Sequence, residues 1–442
     1  MSRVRLWVPF FILCLIGIVL LAALYFRSTT PQVLVQSPVK VLGEATPVKL
    51  LAVNRNGVRR LSAAIEQGGK SFPVYQREFP SLRWSLFRKP AAPAVAEFTA
   101  GKQSASGVAD GKATLRLDAV SNDLAGRSVT LRLPVEIISK PPGVTADEDE
   151  IVATLGGAGA IAFTTSGYVT ESGVRVGKYR FRSWPMPGGP GPDRRIAFFA
   201  LPHDLPEGEV PLVYATNPSG MEAISRIRHN ITRKQFRRRE ILLDDAFLNK
   251  VFQELDLGGK GVEVARFVKI NKDMRQLNNQ QLADLRLKTA GRMLWNGPFQ
   301  QLTNSQVEAQ YCDYRTYFYK GQSIDEQVHL GFDLATTARA PVTASNDGVV
   351  IFAGRLGIYG NAVVIDHGWG LQSLYAHLSE FSVKAGDSVK KRQSIGRSGT
   401  TGLAGGDHLH FTILLEGVPV NPVEWWDEHW LRDRVFSRLK KQ

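Results

Sequence analysis

Between Trp7 and Phe26 the chain runs for 20 residues without a charged side chain, WVPFFILCLIGIVLLAALYF, with Arg3 and Arg5 before it and Arg27 after it. Such a run has no polar face to turn toward water, so it belongs in a core or in a bilayer. At about 1.5 Å per residue, a helix of this length covers a hydrocarbon layer of roughly 30 Å. A cleavable leader would have a shorter apolar stretch, of about 7–15 residues, ending in a small-residue cleavage site. LAALYFRS offers no such site. The run is therefore expected to be an uncleaved single-pass anchor. Its basic N-terminal tail favours the cytoplasmic side, which puts the rest of the chain outside.

That placement decides how the charge is read. The 442 residues include 55 Lys+Arg against 41 Asp+Glu, a formal net charge of +14. The densest basic stretch, RIRHNITRKQFRRR from Arg226 to Arg239, holds no acidic residue. Outside a membrane it meets headgroups or anionic wall polymers and no nucleic acid; a solvated strand and linker is its expected form. Cysteine is equally restrictive. Cys14 lies within the apolar run and Cys312 far beyond it, so there is no disulfide scaffold and no multi-cysteine metal module. Cys312 reads as a small core residue, and any metal must be held by His and carboxylate side chains.

The organisation follows from local pattern. Residues 1–27 form the tail and anchor. From about Val33 to Arg228, runs such as ATLRLDAV, VTLRLPVEI and RIAFFALP alternate between turn signals, which suits antiparallel sandwiches. The break SKPPGVTADEDE, Ser139 to Glu150, divides two small β domains, 28–140 and 141–231. Neither carries a catalytic constellation, so spacing or binding of cell-wall proteins is their expected role. The turn SWPMPGGPGPDRR is read as an exposed loop. Residues 232–310 form a basic and helical connector, where LLDDAFLNKVFQEL and NNQQLADLRLKTAGRMLWN place apolar residues at helical spacing behind Asp or Asn starts. A third β domain, 311–430, and a basic tail, 431–442, complete the chain. The fold class expected is mainly β, with one transmembrane helix, two sandwich-like domains, a helical connector and a C-terminal antiparallel β domain.

Five of the eight histidines lie between His329 and His410. In HLGFD, His329 and Asp333 stand four apart. In HLHFTILL, His408 and His410 open a strand-like run, where residues i and i+2 share a face about 6.6 Å apart. LYAHLS puts His377 at the end of another strand. Singly, each histidine is best read as a hydrogen-bonded core or surface residue. Together the five groups supply three ligands and two spare imidazoles, the open arrangement a catalytic zinc takes.

The stretch from about Gln327 to Pro422 resembles the lysostaphin-type (LytM-like) zinc metallopeptidases, which cleave peptide bonds in bacterial peptidoglycan. The likeness rests on HLGFDLA, ASNDGVV, YGNAVVIDHGWGLQSLYAHLS, VKAGDSVKKRQSIG and GLAGGDHLHF, in that order. It implies one zinc per chain, with His329, Asp333 and His410 as ligands and His377 and His408 as the catalytic pair. It implies a small, mostly antiparallel β domain whose sheet floors a groove, with Tyr359 and Asn361 on a loop that lines it. His367 is expected to be structural. Arg392 stands where relatives commonly carry Gly, so that hairpin is expected to take a different turn or to be longer. The implied activity is endopeptidase action on stem-peptide cross-links, at the outer face of the bacterial cytoplasmic membrane, on the periplasmic side. Related chains that have lost zinc ligands activate cell-wall amidases instead; every ligand position is filled here. VKAGDSVKKRQSIG also resembles a biotinyl or lipoyl carrier hairpin, but no lysine sits in a modification turn. If the upstream domains cover the groove, truncation to residues 310–442 should raise activity.

Overall fold

A computed structural model describes residues 4–84, 89–189, 191–255 and 264–440. Arg3, part of the connector (256–263) and the last two residues of the basic tail lie outside the described residues. The chain divides into two compact units: residues 1–141 with 217–221, and residues 142–216 with 222–442.

In the first unit, α1 (Val4–Phe26) carries the apolar run, and its stretch Val8–Phe26 has the length and composition to cross a membrane. Among the described residues eight strands follow, the short Val41–Leu42 and β1 (Gln32–Val35), β2 (Thr46–Val53), β3 (Val58–Gln67), β4 (Lys70–Glu78), β5 (Ala94–Ala100), β6 (Gly111–Ser121) and β7 (Ser128–Ile137). One sheet runs β1-β2-β5; the other runs from Val41–Leu42 through β7, β6 and β3 to β4. Period-two alternation explains the pairing of faces. Leu115, Leu117 and Ala119 of β6 are fully enclosed, and they share one core with Val48, Leu50 and Ala52 of β2 in the other sheet.

In the second unit, β8 (Ala158–Ser166), β9 (Glu171–Val176), β10 (Arg194–Ala200) and β11 (Leu212–Thr216) are the centres of two four-stranded sheets. Trp184–Pro185, inside the proline-rich turn, pairs with Ile196 and Arg195 and so extends the sheet. The basic stretch is more ordered than a linker. His229–Thr232 pairs in parallel with Ile151–Thr154, and β12 (Arg238–Leu243) pairs in parallel with β13 (Asp313–Tyr319). Arg237 makes a two-pronged bond to the buried Asp313, at 2.8 and 2.5 Å.

After β12, α2 (Asp245–Glu254) starts at Asp244, whose side chain accepts the N–H of Phe247. Its Leu248, Val251 and Phe252 face inward at i, i+3, i+4 spacing. A second helical run from Val264 includes α3 (Arg275–Asp284) and ends at Leu287. The expected helix over 278–296 therefore stops early: beyond Leu287 the chain continues through bends and irregular structure, with Trp295 and Phe299 buried. Both lie against Trp425, in a core that also contains Phe198 of β10. Tertiary burial of two large aromatics overrides the helical pattern there.

The elements that follow include β14 (Gln322–His329), β15 (Phe332–Ala335), β16 (Gly348–Arg355), β17 (Asn361–Asp366), β18 (Leu371–Leu378), β19 (Leu409–Leu415) and α4 (Pro422–Trp426). The main sheet runs from Gln306–Ala309 through β15-β19-β18-β17-β16 to Ser388–Val389. Its central strands β18 and β19 are buried along their whole length. The 431–440 segment is helical and docked: Leu431 and Val435 are buried, Phe436 packs on Trp295, and Arg438 pairs with Asp149. Arg392 has φ 71°. The turn thus keeps a left-handed conformation natural to glycine, and arginine bears the strain.

Candidate metal centre

Sheet register assembles the site. Asp333 of β15 is the cross-strand partner of His410 of β19, and His329 ends β14, one tight turn earlier. Gly331 in that turn is required: a Cβ there would fall 2.6 Å from the His410 ring and 2.5 Å from the Thr412 hydroxyl. His329 Nε2, Asp333 Oδ1 and His410 Nδ1 lie 2.9, 3.0 and 3.0 Å apart.

The tautomers follow from the outer partners. His329 Nδ1 stands 3.0 Å from the Gln310 carbonyl, which only accepts, so the proton is on Nδ1 and Nε2 is bare. Thr412 gives its hydroxyl proton to the Leu330 carbonyl at 2.9 Å, so it accepts from His410 Nε2 at 3.0 Å, leaving His410 Nδ1 bare. Three lone pairs therefore converge with no proton between them, an arrangement that repels itself until a cation fills it. The spacing also suits one: a tetrahedron with zinc bonds of about 2.0–2.1 Å has edges of roughly 3.3 Å. The donor set thus fits zinc. Burial pushes the Asp333 carboxyl up, but His329, His408 and His410 outweigh it and hold it well below the carboxylate range.

His377 and His408 lie beside this triangle, with ring centroids 4.8 Å apart. Each ties Nδ1 to a backbone carbonyl at 2.8 Å, Thr401 for His377 and Gly406 for His408. His377 therefore turns a bare Nε2 toward the site, whereas the Nε2 of His408 is 3.5 Å from Asp333 Oδ1, and although burial pulls that imidazole down, the Asp333 carboxylate outweighs it and raises it above its usual range. His377 holds φ 61°, a left-handed conformation that a non-glycine residue adopts at a cost of about 1–3 kcal/mol. Burial, then the neighbouring His408 and His410, hold the His377 imidazole well below its usual range.

The five histidine and aspartate positions are thus brought together, while the two loop residues separate. The Tyr359 ring lines the pocket 5.5 Å from the His410 ring, and its hydroxyl donates to Asn279 at 2.8 Å. Asn361 lies on β17 and takes no part in lining the pocket. His367 is buried between the Asp347 carbonyl and Ser373, each at 2.7 Å, a structural position. Cys312 is buried, and burial pushes its thiol up to about 12.

Two features escaped sequence reasoning. Arg315 of β13 donates from Nη2 to Asp333 Oδ2 at 2.9 Å, which leaves Oδ1 for the metal position. The signal was present, since alternation puts Arg315 on the same inward face as Tyr317 and Tyr319. The second feature is a roof. Ile241, Phe247 and Arg275, from β12, α2 and α3, line the same pocket of about 160 Å³. Asn278 accepts the N–H of Ile358 at 2.9 Å, Glu254 accepts that of Gly402 at 3.1 Å, and Lys250 donates to Ala404 at 2.9 Å. The helices thereby clasp both loops that flank the histidines. Gly360 makes those loops touch: a Cβ there would overlap Thr401.

Residues 327–422 match the description Peptidase family M23. The DD-carboxypeptidase/endopeptidase Mpg of Neisseria meningitidis serogroup B is 50% identical over 97 residues, which are 22% of each chain. The peptidoglycan DD-endopeptidase ShyA of Vibrio cholerae is 43% identical over 96 residues, again 22% of each. The chain thus matches about a fifth of the length of these curated relatives. The catalytic domain of lysostaphin from Staphylococcus simulans aligns at 29% identity and a TM-score of 0.26, covering 30% of this chain and 98% of that one. The likeness to peptidase family M23 is thus confined to residues 327–422, the segment that carries the five clustered histidine and aspartate positions.

Proposed function

We propose that this protein is a zinc-dependent endopeptidase that hydrolyses the peptide cross-links of peptidoglycan, held by α1 at the bacterial cytoplasmic membrane with its peptidase domain on the periplasmic side. The observation that carries the reading is the convergence of three unprotonated donors, His329 Nε2, Asp333 Oδ1 and His410 Nδ1, beside two further imidazoles. The similarity to ShyA, a peptidoglycan DD-endopeptidase, supplies the substrate class.

Bound by His329, Asp333 and His410, zinc would supply Lewis acidity toward water and the scissile carbonyl. The chain's own residues account for the protons. With Nδ1–H tied to a carbonyl, His377 or His408 takes a proton at Nε2 and returns it from the same atom to the leaving amine. The other, protonated at Nε2, donates to the carbonyl oxygen as negative charge builds there. Ile241, Phe247 and Leu403 give the pocket apolar walls, which exclude bulk water and strengthen these interactions.

The test is mass analysis of cross-linked muropeptides after digestion, with zinc content measured on the same samples. His410→Ala should lose both zinc and cleavage; His377→Ala should keep zinc and lose turnover. A zinc-loaded wild-type protein that leaves cross-links intact while stimulating a cell-wall amidase would overturn the proposal.

A further inference from the structure

The end of α1 is joined to the first β unit without slack. Ser28 Oγ accepts the N–H of Ala125 at 3.2 Å, Asn54 Nδ2 donates to the Thr29 carbonyl at 3.0 Å, and Asn56 Nδ2 donates to the Arg27 carbonyl at 2.9 Å. Asp123 receives the Thr29 N–H at 3.0 Å, together with Asn56, Ser121 and the Gly126 N–H. The β2–β3 and β6–β7 loops therefore grip the first residues after the helix. The unit cannot swing away from the helix end without breaking this set.

At the joint is a cavity of about 260 Å³, lined by Leu24 and Phe26 of α1, three arginines (Arg27, Arg55 and Arg83) and a single carboxylate, Asp123. The four hydrogen bonds to Asp123 occupy that carboxylate. Neither Arg55 nor Arg83 forms an ion pair among the described residues. Arg83 Nε is buried without a hydrogen-bond partner among the described residues, an unmet donor in a position where such groups are normally satisfied. Strong donors thus line the cavity, and the acceptor they call for is anionic.

Depth identifies its source. The apolar stretch Val8–Phe26, at about 1.5 Å per residue, spans roughly the 30 Å hydrocarbon layer, and the headgroup zone adds about 5–7 Å on each side. A cavity walled by Leu24 and Phe26 straddles that boundary, so its guanidinium groups stand at the level of the lipid phosphates. Arginine presents a planar fork that pairs two-pronged with phosphate oxygens. We infer that this cavity binds the phosphodiester of an anionic phospholipid headgroup in the outer leaflet of the membrane. Because the joint is rigid, a lipid held there fixes the first β unit against the bilayer surface. The inference rests on the reading of α1 as a retained membrane anchor.

The full-length protein, reconstituted in bilayer discs of phosphatidylcholine and phosphatidylglycerol in equal parts, is released into the gas phase and its retained lipids are counted by native mass spectrometry. The expected result is one phosphatidylglycerol per chain, reduced at least tenfold by Arg55→Gln with Arg83→Gln. Equal retention by that variant, or equal retention of phosphatidylcholine, overturns the inference. Displacement of the lipid by millimolar inorganic phosphate alone would also overturn it, because the site would then read free phosphate. Should the double variant unfold, Arg55→Gln alone alters an exposed side chain, and undiminished retention there counts against the site. The same spectra give the intact mass: a chain lacking residues 1–26 refutes the anchor, whereas an intact chain without lipid refutes only the site. Cleavage of soluble muropeptides should be unchanged in the variants, which separates this test from that of the peptidase.

Discussion

Glu424, in the first turn of α4, should make the second unit less stable as pH rises. Its Oε2 accepts the Ala158 N–H at 2.7 Å, and its carboxyl presses on Gly157, where a Cβ would overlap Oε1. No cation pairs with it among the described residues. The titratable group that senses it is Tyr311, itself kept neutral by burial. Burial, opposed by the single Ala158 N–H, raises Glu424 from 4.5 to about 8. Between these values the folded chain holds a proton that the unfolded chain has released. Stability then falls with rising pH by about 1.4 kcal/mol per unit, reaching about 4–5 kcal/mol above pH 8. The residue retains some contact with solvent, so a realised penalty on the order of 2–3 kcal/mol is expected. Glu424→Gln keeps the acceptor and the shape and removes the titration. The variant should match the parent near pH 4.5 and unfold several degrees higher near pH 8, at about 2–4 °C per kcal/mol. Tryptophan emission is the assay, because six of the eight tryptophans lie in this unit, Trp425 next to the mutated position. A constant offset between variant and parent across the whole range would refute the reasoning.

Arg315→Gln should weaken zinc binding by about 10–100-fold, read by competition with a chelator, because the Asp333 carboxylate loses the partner that orients it. Arg315→Lys should restore only part, since an ammonium lacks the guanidinium fork. Glu254→Ala with Asn278→Ala removes two of the bonds that hold the helical roof. It should raise cleavage of both intact wall and small cross-linked peptides several-fold; unchanged rates on both would show that the roof does not gate access. Arg182→Ala strands Glu416, whose carboxylate is 4% exposed and takes two bonds of 2.9 Å from that guanidinium. A loss of about 3–5 kcal/mol is expected in chemical denaturation.

How far the sequence could be read depends on the range of the interactions concerned. His329, Asp333, His377, His408 and His410 were legible because each falls in a short local pattern, HLGFD, LYAHLS or HLHF, that carries the family resemblance. The mainly β character and the apolar helix were legible from local pattern too. Arg315 was not singled out, although alternation turned it inward, because its partner Asp333 lies 18 residues away and no local pattern announces a hydrogen bond. The roof was less legible still. The apolar stripe of α2 announces that Leu248, Val251 and Phe252 pack against something, but it does not name the loops beside His377. The early end of the expected 278–296 helix follows from the pull of the aromatic cluster on Trp295, an interaction with Trp425 across 130 residues of chain.

That cluster changes the meaning of a truncation. Cutting to residues 310–442 would remove Phe198, Trp295 and Phe299 from the surroundings of Trp425. It would also leave Glu416 buried without Arg182 and Glu424 without the Ala158 N–H. Any gain from uncovering the pocket would then be confounded with loss of the fold, and an inactive fragment would say nothing about the roof. The pocket beneath that roof, about 160 Å³, is smaller than the roughly 300–1,000 Å³ typical of small-molecule sites, and a cross-linked peptide needs more room still. Access therefore requires α2 and α3 to shift from the loops they clasp. The bonds that oppose the shift lie at Glu254, Asn278 and Lys250, so graded substitutions there, in an otherwise whole chain, test occlusion without dismantling the core that supports the histidines.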